Sequence, residues 1–264
     1  MPTLIDQLGN TINISAYPKR IISLVPSQTE FVFDIGLDDE IVGITRFCIH
    51  PECKVKGKPI VGGTKQFNFD KIHALQPDLI IGNKEENYYE GITELQKHYP
   101  VWMSDIFTLP DAYDMMLKIS ALVGKAKEGE EIVNRISSGF HNWQNPVADI
   151  PKTAAYFIWR KPYMVAASNT FINHMLGAFG IQNVYAGFER YPEIDPLQLS
   201  ELKPDYIFLS SEPYSFSEKH FDEFNAFCPT AKVVLVDGEI FSWYGSRLLH
   251  APAYFNQLSA QLYR

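Results

Sequence analysis

Asp70-Lys71-Ile72-His73-Ala74-Leu75-Gln76-Pro77-Asp78-Leu79-Ile80-Ile81 and Leu197-Gln198-Leu199-Ser200-Glu201-Leu202-Lys203-Pro204-Asp205-Tyr206-Ile207-Phe208 are one local design written twice, at an offset of 127 residues. Each reads as a short helix, a Pro-Asp turn and a buried strand, because proline cannot continue a helix and a continuous apolar run suits a strand covered on both faces. Each strand leads to an acidic residue, Glu85 and Glu212. Two copies are too few for a solenoid and point to two similar lobes.

The flanking sequence repeats the same alternation. Upstream, Leu4 to Ser15 alternates around Gly9-Asn10, a two-residue hairpin signal flanked by Leu8 and Thr11. A strand from Arg20 to Val25 follows and Pro26 stops it, after which Ser27-Gln28-Thr29-Glu30 has capping-box spacing before a helix that Gly36 closes. Strands are expected at Ile41 to Thr45, Leu79 to Gly82 and Val101 to Ser104, with helices at Asn68 to Leu75 and Tyr89 to His98. The second half predicts strands at Ala154 to Trp159, Tyr206 to Ser210 and Val233 to Val236, and a strand or loop at Tyr163 to Ala166. Its helices are expected at Thr170 to Phe179, near Leu197 to Leu202, at Lys219 to Ala226 and from about Ser246. Alternating βαβα units argue for an α/β fold with parallel sheets.

Between Pro110 and Asn145 the period changes to helical, with Gly124 dividing two helices. The second, Lys125 to Gln144, spans about 30 Å at 1.5 Å per residue. Pro146 and Pro151 bracket its exit. The chain thus divides into an N-terminal lobe over 1–108, a connecting helical segment over 109–150 and a C-terminal lobe over 151–264.

Composition removes several classes of function. The 264 residues carry 23 basic and 31 acidic side chains, a net charge of −8, which opposes nucleic-acid binding. Hydrophobic residues make up 46%, enough for a large core, yet no run of about 18 apolar residues predicts membrane insertion. Cys48, Cys53 and Cys228 are too few for a disulfide framework, and the first residues show no basic and apolar export signal. The phosphate-loop, dinucleotide, zinc-protease, serine-hydrolase and calcium-loop motifs are missing.

Two clusters remain. In Cys48-Ile49-His50-Pro51-Glu52-Cys53 a thiolate and an imidazole two residues apart can face one soft metal, with Cys53 as a third ligand. No second Cys/His pair follows at structural zinc spacing, so packing is the preferred role and no metal site is assigned. Aromatic and cationic residues gather at expected strand ends: Phe47, then Trp159, Arg160 and Tyr163, then Arg190 and Tyr191, then Trp243, Tyr244 and Arg247. Loops at the carboxyl ends of strands line the ligand crevice of a doubly wound sheet; flat rings there suit a flat, partly apolar ligand, and Arg160, Arg190 and Arg247 suit its carboxylates, amides or phosphate.

The chain resembles the periplasmic binding proteins of the helical-backbone metal-receptor type, which hand cobalamin, ferric siderophores or haem to ABC importers. The resemblance rests on Asp6-x-x-Gly9, Pro18-Lys19-Arg20-Ile21-Ile22-Ser23-Leu24-Val25-Pro26-Ser27-x-Thr29-Glu30, Val42-Gly43-Ile44-Thr45, Val61-Gly62-Gly63 and Ile72-x-Ala74-Leu75-x-Pro77-Asp78-Leu79-Ile80. It implies two Rossmann-like lobes joined by one long α-helix, a ligand held in the cleft and closure of only a few degrees about a single stiff connector. Phe47 and Tyr191 stand where the cobalamin-binding members have aromatic contacts, and Lys65 stands at another position of that kind. Asp70 matches the acidic residue with which one lobe docks on the permease. The corresponding position of the other lobe is Leu197, so Glu193 or Asp195 nearby takes that part.

The reading is therefore a monomeric, non-enzymatic receptor for a metal chelate, cobalamin or an iron chelate, with no cofactor of its own. Its expected partners are that small molecule and an ABC permease, and its expected location is periplasmic by resemblance or cytoplasmic if nothing exports it. The alternative class is a cytoplasmic metal chelatase acting on tetrapyrroles, with Cys48, His50, Glu85 and Glu212 as ligands or proton acceptors. A third is an interaction domain whose cleft is filled by its own side chains.

Overall fold

A computed structural model describes residues 4–143 and 152–262. The chain forms two compact units, the first comprising residues up to Ile106, Pro110–Ser137 and Tyr244–Leu249, the second Phe107–Leu109, Ser138–Trp243 and the chain from His250 onward.

Unit 1 opens with an antiparallel pair, β1 (Leu4–Ile5) and β2 (Thr11–Ile12). The elements β3 (Ile21–Ser23), α1 (Pro26–Asp34), β4 (Ile41–Ile44) and α2 (Glu52–Val55) follow, then a small antiparallel hairpin of β5 (Gly62–Gly63) and β6 (Gln66–Phe67). The unit continues through α3 (Phe69–Leu75), β7 (Leu79–Asn83), α4 (Tyr89–Gln96), β8 (Val101–Ser104), α5 (Leu109–Leu122) and α6 (Ala126–Asn142), which passes into unit 2 after Ser137. Its sheet runs β4-β3-β7-β8, all parallel. Ile21, Ile22 and Leu79 to Ile81 have no exposed surface, as continuous apolar strands covered on both faces must.

Unit 2 contains β9 (Lys152–Trp159), β10 (Met164–Val165), α7 (Phe171–Phe179), β11 (Ile181–Asn183), α8 (Leu199–Leu202), β12 (Tyr206–Ser210), α9 (Phe221–Phe227), β13 (Lys232–Val236), α10 (Gly238–Ser242) and α11 (Ala251–Leu262). Its sheet runs β10-β9-β12-β13 with β11 also on β9; β10 is antiparallel to β9 and the other pairs are parallel. Phe157, Ile207, Leu209 and Phe224 anchor its core.

The repeat explains why both units close the same way. Gln76 and Lys203 end their helices in the left-handed region at φ 44° and 46°, and Pro77 and Pro204 then forbid further helix. Asp78 accepts from the backbone N–H of Lys19 at 2.7 Å and of Arg20 at 2.8 Å, just before β3. Asp205 accepts from the N–H of Thr153 at 2.9 Å near the start of β9, and its second oxygen is bridged by the Lys152 ammonium at 2.8 Å. In each unit the turn aspartate pins the start of the strand that its own strand pairs with.

Several expectations change. The helix expected to be capped by Ser27 begins one residue earlier, with Val25 as its cap and Pro26 at its first position, because the fixed φ of proline and its missing N–H suit that site. Ser27 is thereby buried in the first turn and makes no cap hydrogen bond. The first hairpin closes over Asp6 to Asn10 rather than two residues, since Asp6 Oδ1 accepts from the N–H of Leu8 at 2.9 Å and of Asn10 at 2.7 Å and holds a wider loop. The long helix is described to Asn142; Gln144, Pro146 and Pro151 lie outside the described residues. That helix carries the chain from unit 1 into unit 2 after Ser137, as expected, and Tyr244–Leu249 is a second stretch of chain that belongs to unit 1.

Candidate functional site

In unit 1 the loops that follow β3 and β7 and the β5–β6 turn are tied together by two asparagines. Asn83 Oδ1 accepts from the N–H of Glu85 at 2.8 Å and of Glu86 at 3.1 Å, and Asn87 Oδ1 accepts from the Asn83 N–H at 2.9 Å. The Asn87 amide reaches Leu24 O at 3.3 Å and Thr64 O at 3.1 Å, so three loops share one buried side chain.

Phe47 stands on this scaffold and is 53% exposed, unusual for a large ring. It lies over Gly63, where a Cβ would come within 3.2 Å of Phe47 Cε2 and 3.6 Å of Arg46 Nε, so the glycine makes room for both side chains. Lys65, in the β5–β6 turn, donates to Glu85 O. Asp70, exposed on α3, borders an open groove of about 600 Å³ lined also by Arg46, Ile60, Phe67, Phe69 and Lys71.

In unit 2, Trp159 ends β9 at 39% exposure and meets Tyr214 edge to face, ring centroids 5.7 Å apart. Arg160 is committed to Glu223: Nε lies 3.0 Å and Nη2 2.9 Å from Oε2. Tyr163 donates to the same carboxylate and packs edge to face against Phe224. Burial opposes the charged form of Glu223, but hydrogen bonds from Arg160 and Tyr163 outweigh it and hold the carboxyl below its ordinary value. The Tyr163 hydroxyl is in turn pushed up to about 12 by burial and by that carboxylate.

Tyr191 and Glu193 lie on a ribbon in which the Ala167 N–H donates to Arg190 O at 2.8 Å and the Arg190 N–H to Ser168 O at 2.8 Å. The Arg190 guanidinium stacks 5.4 Å from the Phe107 ring centroid and 5.9 Å from that of Tyr191. Glu193 is exposed, and Leu197, the repeat partner of Asp70, is 64% exposed.

The third expected group is differently used. Trp243 is 7% exposed and its indole N–H donates to Glu212 Oε1 at 2.8 Å; burial lifts the Glu212 carboxyl above its usual value despite this bond and that from Ser242. Tyr244 is buried in unit 1 at 7% exposure. Arg247 closes its fork on Glu30, Nε to Oε2 at 2.9 Å and Nη2 to Oε1 at 2.6 Å. Its position beside Trp243 and Tyr244 suggests a ligand contact, yet Nε and Nη2 are taken up by α1. Glu30 feels burial most, and its carboxyl sits above the ordinary value even with Arg247 beside it.

The Cys48 thiol is buried, 3.1 Å from the Thr29 hydroxyl and 3.2 Å from that of Thr45, and burial pushes it up. That suits a packed thiol rather than a thiolate ligand. Cys53 is exposed on α2, and among the described residues no three His, Cys, Asp or Glu side chains converge as a metal site requires. Arg46, Asn83 and Asn87 were missed from sequence; the only signal was their place just after strands, at the edge where ligand loops gather.

Comparison with known proteins bears on the fold and the family. An ABC transporter substrate-binding lipoprotein of Bacillus subtilis (strain 168), YvrC, is 26% identical over 222 residues, covering 78% of this chain and 68% of the relative. A vitamin B12-binding protein of Vibrio vulnificus (strain CMCP6) is 24% identical over 204 residues, covering 76% and 74%. Among solved structures, the apo form of the periplasmic heme-binding protein RhuT from Roseiflexus sp. RS-1 superposes with a TM-score of 0.80 at 18% identity, over 93% of this chain and 98% of that one. Among the described residues no helix is long and apolar enough to cross a membrane. The periplasmic binding protein profile matches residues 21–227, and the chain belongs to that family.

Proposed function

We propose that this chain captures a metal chelate, a corrinoid or related tetrapyrrole or a ferric siderophore, outside the cytoplasm for delivery to an ABC importer. The observation that carries the reading is Phe47, a ring left 53% exposed and seated over a glycine on a rigid three-loop scaffold. An ordered, exposed ring at the ligand edge of an α/β sheet is a stacking surface in want of a partner. In unit 2 Trp159 is 39% exposed and Tyr191 is half-buried beside Arg190, and Lys65 lies in the β5–β6 turn next to Gly63 in unit 1. Relatives named for vitamin B12 and for heme support a flat, metal-centred guest. Arg160 and Tyr163 bond Glu223, Trp243 bonds Glu212 and Arg247 bonds Glu30, which supports a part for these four in shaping the loops around the ligand.

Asp70 in unit 1 and Glu193 in unit 2 are the exposed acids assigned to the permease. No catalytic role is assigned: the family's named members are receptors, and a buried, raised Cys48 thiol is poorly suited to chelatase chemistry. Titrating the protein with cyanocobalamin, haem and ferric hydroxamates while following tryptophan fluorescence tests the reading. Saturable quenching by at least one supports it, and no saturable change with any of them refutes it.

A further inference from the structure

Arg46 adjoins Phe47 over the same glycine, Gly63. Its guanidinium makes no hydrogen bond or ion pair among the described residues, whereas Arg160 and Arg247 are each closed on a glutamate and Arg20 on Leu75 O. It is exposed, yet its position is set, because its backbone N–H donates to Gly62 O at 2.9 Å and its Nε would lie 3.6 Å from a Cβ on Gly63. Phe47 shares that glycine floor, so a flat ring face and an uncommitted guanidinium stand side by side. Lys65 is bonded to Glu85 O, and Asp70 and Lys71 line the same groove as Arg46; neither of the last two pairs with it.

Unit 2 repeats the pairing of ring and guanidinium at Tyr191 and Arg190. A protein of net charge −8 repels anions at long range. A cation beside the ring offsets that field locally in each unit, taken by itself. A guanidinium beside a ring is matched by a planar body with a carboxylate on its edge, since the planar fork binds a carboxylate through two parallel hydrogen bonds and gains far less from a neutral amide or ester.

We propose that Arg46 reads a peripheral carboxylate of the ligand, so that the favoured guest is a flat chelate with free acid groups on its rim and not one whose rim acids are all amidated or esterified. The proposal rests on the chelate-binding reading and narrows it.

The test compares ferric protoporphyrin IX with its dimethyl ester, in the same detergent, and with cyanocobalamin, whose rim carries amides. Wild type, Arg46→Gln and the control Arg135→Gln, on the exposed face of α6, are titrated. The diacid is expected to bind roughly tenfold more tightly than the ester, and Arg46→Gln to weaken the diacid about five- to tenfold while leaving the ester unchanged. Raising the salt concentration is expected to weaken the diacid alone. Arg135→Gln is expected to change neither. Equal affinity for diacid and ester, equal weakening of both by Arg46→Gln, or preference for cyanocobalamin over the diacid overturns the proposal and leaves chelate binding standing. Saturation by no chelate overturns both.

Discussion

Arg247→Met removes one half of a buried ion pair and keeps most of the side-chain volume. Arg247 and Glu30 expose 15% and 10% of their side chains and meet through two hydrogen bonds of 2.6 and 2.9 Å. Breaking such a pair by deleting one partner costs about 3–5 kcal/mol, mostly because the remaining charge stays buried without compensation. Glu30 softens that penalty. Burial already raises its carboxyl with Arg247 present, and losing the arginine removes the two strongest opposing influences, so the carboxyl titrates still higher and escapes by taking up a proton. The cost near pH 7 therefore falls at the lower end, about 3 kcal/mol.

At about 2.1 cal/mol/K per residue the unfolding entropy of 264 residues is about 0.55 kcal/mol/K, so the melting temperature should fall by about 5 °C. A carboxyl whose folded pKa lies above its unfolded one favours folding below the unfolded pKa, and that contribution is lost as pH rises through the folded pKa. The variant's deficit should accordingly be smallest near pH 5 and widen toward pH 8. Glu30→Gln with Arg247→Met should recover most of the loss, because neither partner then carries a charge. Circular-dichroism melts of the three proteins at both pH values decide the matter; a deficit below 1 kcal/mol, or one that does not change with pH, refutes the reasoning.

Three further outcomes follow from particular contacts. Asp78→Ala and Asp205→Ala should each destabilise by about 1–3 kcal/mol in urea melts, because each leaves the strand-start N–H groups of its unit without an acceptor. A thiol reagent should label Cys53 in the folded protein, while Cys48 and Cys228 react only on unfolding, since both are buried. Phe47→Ala should leave the melting temperature within about 2 °C, because half of the ring is in solvent, yet weaken chelate binding about five- to tenfold in a fluorescence titration.

What could be read from the chain alone follows from how local the signals are. The paired helix, Pro-Asp turn and strand needed only a dozen residues in each half, and both landed as two parallel-stranded units of the expected kind. Pro26 shows a local signal being outranked: the Ser27 capping pattern was present, but proline fixed the helix start one residue earlier and released Glu30 for another task. That task could not be seen in the chain, because Arg247 lies 217 residues away and nothing near it announces a carboxylate partner. The β5–β6 hairpin escaped for the opposite reason, since strands of two residues built on Gly62 and Gly63 have no period to detect. At the candidate site a ring near a strand end can be found in the chain but its exposure cannot: Phe47 and Trp159 are open to solvent, whereas Trp243 and Tyr244 are buried. Asn83, Asn87 and Arg46 were not legible, because an asparagine in a loop looks alike whether it joins three loops or none.

The measurement closest to the central claim is native mass spectrometry of the protein after equilibrium dialysis against a mixture of cyanocobalamin, haem and ferric siderophores. The account predicts one chelate retained per chain, with less retained by Phe47→Ala at the same ligand concentration. A chain that emerges without a chelate at concentrations well above micromolar, or that retains one as readily without the Phe47 ring, contradicts it.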